Sequence, residues 1–433
     1  MYKKLASIIT VFILLAALLI PLATVKAQVI QSITLSASYL NENSVIEIVV
    51  YAPGYTEDFI KLGIKDAKTG QEASYTTEGG GTFNATKYAE GYYVAYLGGS
   101  SVSFSASFPA HAKIDYNTYK DSFATMDNPH DDKDYIVYVP GTDVEATFTY
   151  GYVTFELSLD RSPAEYPPKG FIELTMVDQD FNLDPTAVNS IDPTVTTITI
   201  SNITVQRTST GDFYYLTTSS DLSRIVSDSF IKANESKINS ATFTFELNIS
   251  KIAELLNTTG VGNLPSPELK DGDLVEITLE DPGTHEEESI EFTVKSVSPT
   301  ISLTAFDFSN EITVQVEWFD ANVKSWEEDS IEANVFNITL WDADLTTCYD
   351  NETVELDETD VNTGVFEADL DLTWVAGTTG TEGSGAIEVP LGIAKEGTSF
   401  VLKVSSNNPK VERYFDLTLH APTLSTDKTE YTK

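Results

Sequence analysis

The stretch Phe171-Ile-Glu-Leu-Thr-Met-Val177 alternates apolar and polar residues without a break. That is the period of a strand with one face on a core. It runs directly into Asp178-Gln-Asp180-Phe-Asn182-Leu-Asp184-Pro185, an acidic turn closed by proline. A related pattern recurs at Ile312-Thr-Val-Gln-Val-Glu-Trp-Phe-Asp320-Ala-Asn322. Both copies lead into Thr/Val/Ile-rich strands and then a Thr-Gly-x-Phe turn, at Thr210-Gly211-Asp212-Phe213 and Thr363-Gly364-Val365-Phe366. A chain that repeats a strand and its turn in this way is expected to be all-β, a tandem array of similar domains built to assemble or to bind.

The expected order is a leader at 1–27, then β domains at 28–150, 151–298 and 299–420, with 421–433 a linker or the start of a further domain. In the first domain Ile33, Leu35 and Ala37, then Val45, Ile46, Ile48, Val49 and Val50, read as strand–turn–strand. Gly91-Tyr-Tyr-Val-Ala-Tyr-Leu97 is an aromatic strand. In the second, Leu222, Ile225, Val226 and Phe230 are spaced for a short helix. So are Ile252, Leu255 and Leu256, with Gly260 as C-cap.

Met1-Tyr-Lys3-Lys4 is a short cationic start, Leu5 to Ala23 is almost wholly apolar, and Val25-Lys26-Ala27 offers a small-residue cleavage point. This is the pattern of a cleaved secretory signal peptide, with a membrane anchor as the competing reading. The expected location is extracellular, at the cell surface.

The chain carries 26 Lys+Arg against 66 Asp+Glu, a net of −40. Removing residues 1–27 takes away three lysines and no acid, which leaves −43. Nucleic acid is excluded as a partner, because phosphate binding needs a basic footprint. Divalent cations are the simplest relief for so much like charge, and carboxylate oxygens are the ligands calcium prefers. A solvated acidic surface without specific ions is the competing reading. With Cys348 the one cysteine, no intrachain disulfide can form.

The acidic turn and a later Glu-Thr-x-x-Asn-Thr-Gly-Val-Phe hairpin together resemble archaeal surface-layer (S-layer) glycoproteins. The turn is Val177-Asp178-Gln-Asp180-Phe-Asn182-Leu-Asp184-Pro185; the hairpin is Glu358-Thr359-Asp-Val-Asn362-Thr363-Gly364-Val365-Phe366. In this reading neither domain keeps both halves intact. Domain two retains only Thr210-Gly211-Asp-Phe213 of the hairpin, and domain three only Phe319-Asp320-Ala-Asn322 of the turn. The resemblance implies Ig-like β-sandwich domains and a structural subunit that self-assembles with identical copies into a surface lattice, alongside a membrane-anchoring surface-layer partner. The alternatives are a secreted adhesin or carbohydrate-binding protein, for which Tyr92, Tyr93 and Tyr96 would supply an aromatic platform, and a subunit of an extracellular filament or tubule joined by donated strands.

Asp178, Asp180, Asn182 and Asp184 alternate, and in a loop that spacing can converge oxygens on one calcium ion. The glycine and the terminal glutamate of an EF-hand loop are missing. Asp342 and Asp344, near Asp350, form a second candidate. Seven Asn-x-Ser/Thr acceptors for N-glycosylation stand at Asn84, Asn202, Asn234, Asn248, Asn257, Asn337 and Asn351. No catalytic motif is found: His111, His130, His285 and His420 are scattered, and there is no His-Glu-x-x-His, Gly-x-Ser-x-Gly or P-loop. The expectation is a protein without enzymatic activity.

Overall fold

A computed structural model describes residues 30–77, 79–102, 122–192, 198–228, 233–261, 264, 268–307, 311–393 and 398–418. The leader at 1–27, Phe230, His111, His420 and the stretch 421–433 lie outside the described residues. The fold is all-β, with one α-helix among the described residues.

Three strands of matching pattern anchor it: Val45–Tyr51, Phe171–Val177 and Glu311–Glu317. Each turns alternate side chains inward. Ile46, Ile48 and Val50 do so in the first, Ile172, Leu174 and Met176 in the second, and Ile312, Val314 and Val316 in the third. Burying each such side chain fully contributes ~1.5–3 kcal/mol.

Each anchor strand pairs antiparallel with an opening strand on one side: Ser32–Leu35, Glu156–Leu159 or Thr300–Asp307. On the other side it pairs with Tyr92–Gly98, Thr242–Asn248 or Val365–Val375. A second sheet in each stretch is formed by later strands, ordered Gly63–Asp66, Lys133–Tyr138, Glu145–Tyr150 in the first. In the second it includes Thr199–Arg207, Asp273–Glu280 and Glu287–Val294, and in the third Asn337–Asp342, Ser399–Asn407 and Lys410–Thr418. Two-residue strands cross early to that second sheet: Tyr39–Leu40 lies parallel to Glu145–Tyr150, and Glu165–Tyr166 parallel to Glu287–Val294. The large hydrophobic clusters follow the same partition, one between Leu40 and Tyr150, one between Phe155 and Val294, one between Ile301 and Leu417.

Backbone hydrogen bonds fix which residues are equivalent. Ala52, Asp178 and Trp318 each follow the anchor strand, and their N–H groups donate to Gly91, Ala241 and Gly364, all at 2.8 Å. Consecutive stretches are joined by a repeated clasp. The Val45 N–H donates to the Leu183 carbonyl at 3.1 Å, and the Phe171 N–H to that of Val323 at 2.9 Å. The connecting chain is tied too: Val153 N–H donates to Asp180 Oδ2 at 3.0 Å, and Val297 N–H to Asp320 Oδ1 at 2.8 Å.

Several expectations need correction. The Leu222–Phe230 helix is a 3-10 turn at Leu222–Arg224. Beyond it, Ser227 N–H donates to the Glu246 carbonyl and Asn248 N–H to that of Ile225, so the segment is held as a sheet edge. The second helix exists, Ile249–Thr259, with Ile249, Ile252, Ala253, Leu255 and Leu256 buried. Asn248 Oδ1 caps it by accepting the Ser250 and Lys251 N–H groups. Gly260 directly follows its last residue, at the C-cap position, and opens a two-residue strand paired with Tyr215–Leu216.

The hairpin equivalence also changes. Thr210–Phe213 joins Thr199–Arg207 to Asp212–Leu216, whereas Thr363–Phe366 leads into the partner of the anchor strand. The true counterpart of Glu358–Phe366 is Glu235-Ser236-Lys-Ile-Asn239-Ser240-Ala241-Thr-Phe243. Glu235 Oε1 accepts the Ala241 N–H at 2.7 Å, as Glu358 Oε1 accepts that of Gly364 at 2.7 Å. Asn239 and Asn362 both adopt left-handed backbone, and they accept from Asn182 Nδ2 and Asn322 Nδ2 respectively. The second stretch therefore carries both halves of the turn-and-hairpin pattern.

A candidate metal centre at the first junction

Among the described residues, Asp178, Asp180 and Asp281 form a group of three carboxylates whose ligand oxygens all lie within 4.8 Å of one another. Asp178 caps a 3-10 turn, Gln179–Phe181, and its Oδ1 accepts the Asp180 N–H at 2.7 Å. That turn closes the anchor strand and swings Asp180 towards the preceding stretch. There Asn41 Nδ2 donates to the Asp180 carbonyl (3.2 Å) and to its Oδ1 (3.3 Å). Asp281 arrives from the turn between Asp273–Glu280 and Glu287–Val294. Its Oδ1 accepts the Gly283 and Thr284 N–H groups at 2.7 and 2.8 Å, and its Oδ2 that of Phe155 at 3.2 Å. Gly283 is required for this approach, because a Cβ there would lie 2.6 Å from Tyr152 Cδ1 and 3.0 Å from Asp180 Oδ2.

The group borders a cleft of ≈ 540 Å³ shared by both stretches and also lined by Asn41, Asn43, Tyr152 and Phe181. Asp178 is 1 % exposed, and its Oδ2 has no hydrogen-bond partner. An orphaned carboxylate oxygen in such a place costs free energy unless a proton or a cation meets it. Burial, reinforced by the charge of Asp180, pushes the Asp178 carboxyl up to about 8. Burial likewise pushes Asp180 up to about 7, against the opposing hydrogen bonds from Val153 and Asn41. Crowded, desolvated carboxylates of this kind can hold a divalent cation.

Of the residues expected in the site, the structure brings together Asp178 and Asp180 and turns the other two away. Asn182 is taken up by Asn239 and Asn189. Asp184 Oδ1 accepts the Thr186 N–H and hydroxyl, while its Oδ2 is buried without a partner beside the Glu47 carboxyl, whose affinity for protons is raised by burial and by Asp184. Asp342 is used by its own turn, accepting the Thr346 N–H and hydroxyl, and Asp344 is exposed. Asp350 instead has a buried Oδ1 without a partner and accepts the Glu388 N–H on Oδ2. Asp281 was not foreseen as a ligand; the only local signal was its Asp-Pro-Gly turn.

Of the seven glycosylation acceptors, Asn234 is exposed and the other six are half-buried. Tyr92, Tyr93 and Tyr96 do not form one platform. Tyr93 lies in the main core, Tyr96 packs on the opposite face with Val45, Val94 and Phe123, and Tyr92 is exposed. Among the described residues no helix is long and apolar enough to cross a membrane.

No family model and no curated protein matches the chain. Among solved structures, a marsupial T cell receptor aligns over 89 % of this chain and 99 % of its own, at 9 % identity. Its TM-score of 0.19 carries no argument about fold.

Proposed function

We propose that this chain is an exported, glycosylated structural subunit of a cell-surface protein lattice, a surface-layer protein, with calcium at the first junction. Its stretches 28–150, 151–298 and 299–420 act as tandem Ig-like β-sandwich domains. The domain reading is supported by strand order. In the first stretch one sheet runs opening strand, anchor strand, Tyr92–Gly98, Asn84–Ala89, Phe59–Lys61, with Phe123–Met126 added beside Tyr92–Gly98 and Tyr75–Thr77 beside Phe123–Met126, and the other runs Tyr39–Leu40, Glu145–Tyr150, Lys133–Tyr138, Gly63–Asp66. The first four strands of the one sheet and the four of the other follow the strand order of immunoglobulin domains, which favours this reading.

The observation that carries the functional reading is the carboxylate group at the joint between successive stretches. A rod of stiff units with an ion-filled joint suits a load-bearing lattice of identical copies, held at the cell surface by a membrane-anchoring partner. Calcium fits because all three side chains offer hard oxygens and the open cleft admits the waters that complete its shell. The role is mechanical and not enzymatic. Ser32–Leu35 pairs with Val45–Tyr51 of its own stretch, which disfavours a filament joined by donating that strand. The divided tyrosines disfavour a carbohydrate platform.

Electron microscopy of the purified mature protein tests this. Sheets that form in millimolar calcium and dissolve in chelator support it. Filaments, or dispersed monomers in both conditions, overturn it.

A further inference from the structure

The two junctions are built alike in backbone and differ in charge. Around the second one, three basic side chains stand where the first has none. Arg161 follows the opening strand Glu156–Leu159 at the place Ala37 holds after Ser32–Leu35. Lys324 holds the place of Asp184, one residue beyond the clasp carbonyl. Lys295 holds the place of Gly151: its N–H donates to the Tyr166 carbonyl, as that of Gly151 donates to Leu40. In the same comparison Trp318 replaces Asp178.

These bases cross the joint. The Arg161 side chain is 6 % exposed, and its Nη2 donates to the Asn322 carbonyl at 3.1 Å and to Asn322 Oδ1 at 3.3 Å. Its guanidinium lies 5.2 Å from the ring centre of Tyr166 in its own stretch and 5.8 Å from that of Phe319 in the next. Lys324 Nζ reaches back 3.5 Å to Glu246 and lies 5.3 Å from the Phe171 ring. Lys295 pairs with Glu165 at 2.5 Å and lies 5.5 Å from the Phe319 ring.

At the first junction, among the described residues, no Lys, Arg or His forms an ion pair with Asp178, Asp180, Asp184 or Asp281. One of these side chains, Asp178, is 1 % exposed and keeps one buried oxygen without a partner. The orphaned oxygen of Asp178 points to a ligand independently of the clustering, whereas at the second junction the uncharged Trp318 takes the place of Asp178 and the bases lie within the joint.

We propose that a divalent cation does at the first junction what Arg161, Lys295 and Lys324 do at the second, so that the chain has one ion-dependent joint and one permanently closed joint. This rests on the cation reading above and adds which joint responds. Below a threshold of calcium the first stretch swings free on the chain around Tyr152, while the second and third remain one body. The cation is bound as an ion and no covalent step is involved.

Hydrogen exchange on the full mature chain tests this, with calcium chloride alone as the probe and chelator as control. The Val45, Val153 and Phe155 amides report the first joint, and the Phe171 and Val297 amides the second. Chelation should speed exchange at the first set by at least about tenfold and leave the second within about twofold. Arg161→Met should open the second set whether or not calcium is present, and Arg161→Lys should restore part of the protection. Asp281→Asn should weaken the calcium effect at the first set without touching the second.

Equal responses at both joints, or none at the first, overturn the proposal, and the wild-type comparison needs no variant to fold. The readout is independent of assembly. Sheets in calcium without amide protection at the first joint would sink this inference and leave the lattice standing. Protection without sheets would do the reverse.

Discussion

Asp178 satisfies one carboxylate oxygen with a backbone amide and leaves the other buried with nothing. In ion-free protein that side chain must keep a proton, and the sign of the resulting pH dependence follows. The carboxyl titrates at about 8 and Asp180 at about 7, both above the ordinary value near 4 of an unfolded chain. Between those limits the folded state binds more protons than the unfolded one, so stability falls as pH rises from about 4 through about 8. Calcium competes with the same protons, so its stabilisation is largest above pH 8 and fades as pH falls. Thermal unfolding with and without calcium should show a larger shift at pH 8.5 than at pH 5.5, and Asp178→Asn should flatten the ion-free profile. An ion-free Tm independent of pH would contradict the assignment. Asp273 is the opposite case, since Arg207 grips it with Nε and Nη2 at 2.9 and 2.8 Å while both side chains are buried. Asp273→Ala would leave an unpaired guanidinium inside the second stretch, at a cost of about 3–5 kcal/mol in chemical denaturation.

At the scale of elements, the same hairpin is tied twice by a buried glutamate. Glu235 accepts the N–H groups of Ser240, Ala241 and Asn189; Glu358 accepts those of Gly364 and Asp329. Glu235→Ala would strand three amides, so the local opening free energy at Ser240 and Ala241 should fall by about 2–4 kcal/mol by hydrogen exchange. A drop within error would show that water replaces the carboxylate freely. This hairpin also shows what the sequence made legible. The anchor strands were readable because Ile172, Leu174 and Met176 repeat with the period of the pleat, and the helix because Ile252, Leu255 and Leu256 repeat with that of a turn. The second hairpin was not, because Ser240-Ala241 stands where Thr363-Gly364 does, and only the shared hydrogen bonds expose the match. Half of the candidate metal centre was legible for a similar reason. Alternation of Asp178, Asp180, Asn182 and Asp184 marks oxygen-bearing side chains, but the 3-10 turn at Gln179–Phe181 rotates the last two away. The third carboxylate, Asp281, lies in a distant hairpin that no local spacing connects to the turn.

For the whole molecule, two physical accounts of the acidic excess make different demands on salt. If the −40 charge of the chain acts only as a diffuse field, any electrolyte relieves it by screening. The Debye length falls from about 10 Å at 0.1 M to about 3 Å at 1 M monovalent salt. Molar sodium chloride should then close the first joint as well as calcium does. If the relief is local, screening fails, because the oxygens of Asp178, Asp180 and Asp281 lie within 4.8 Å of one another and their side chains are buried, so that dissolved monovalent ions do not come between them. A coordinated ion needs only millimolar concentration and replaces the missing partner of Asp178 Oδ2 directly. Small-angle scattering of the protein can separate the two. We expect the radius of gyration of chelated protein to contract on adding about 1–5 mM calcium and to stay expanded in 1 M sodium chloride, with Asp178→Asn and Asp281→Asn each weakening the calcium response. Equal contraction in both salts would mean that the acidic surface is merely solvated and that the carboxylate group at the first joint is no more than its densest patch.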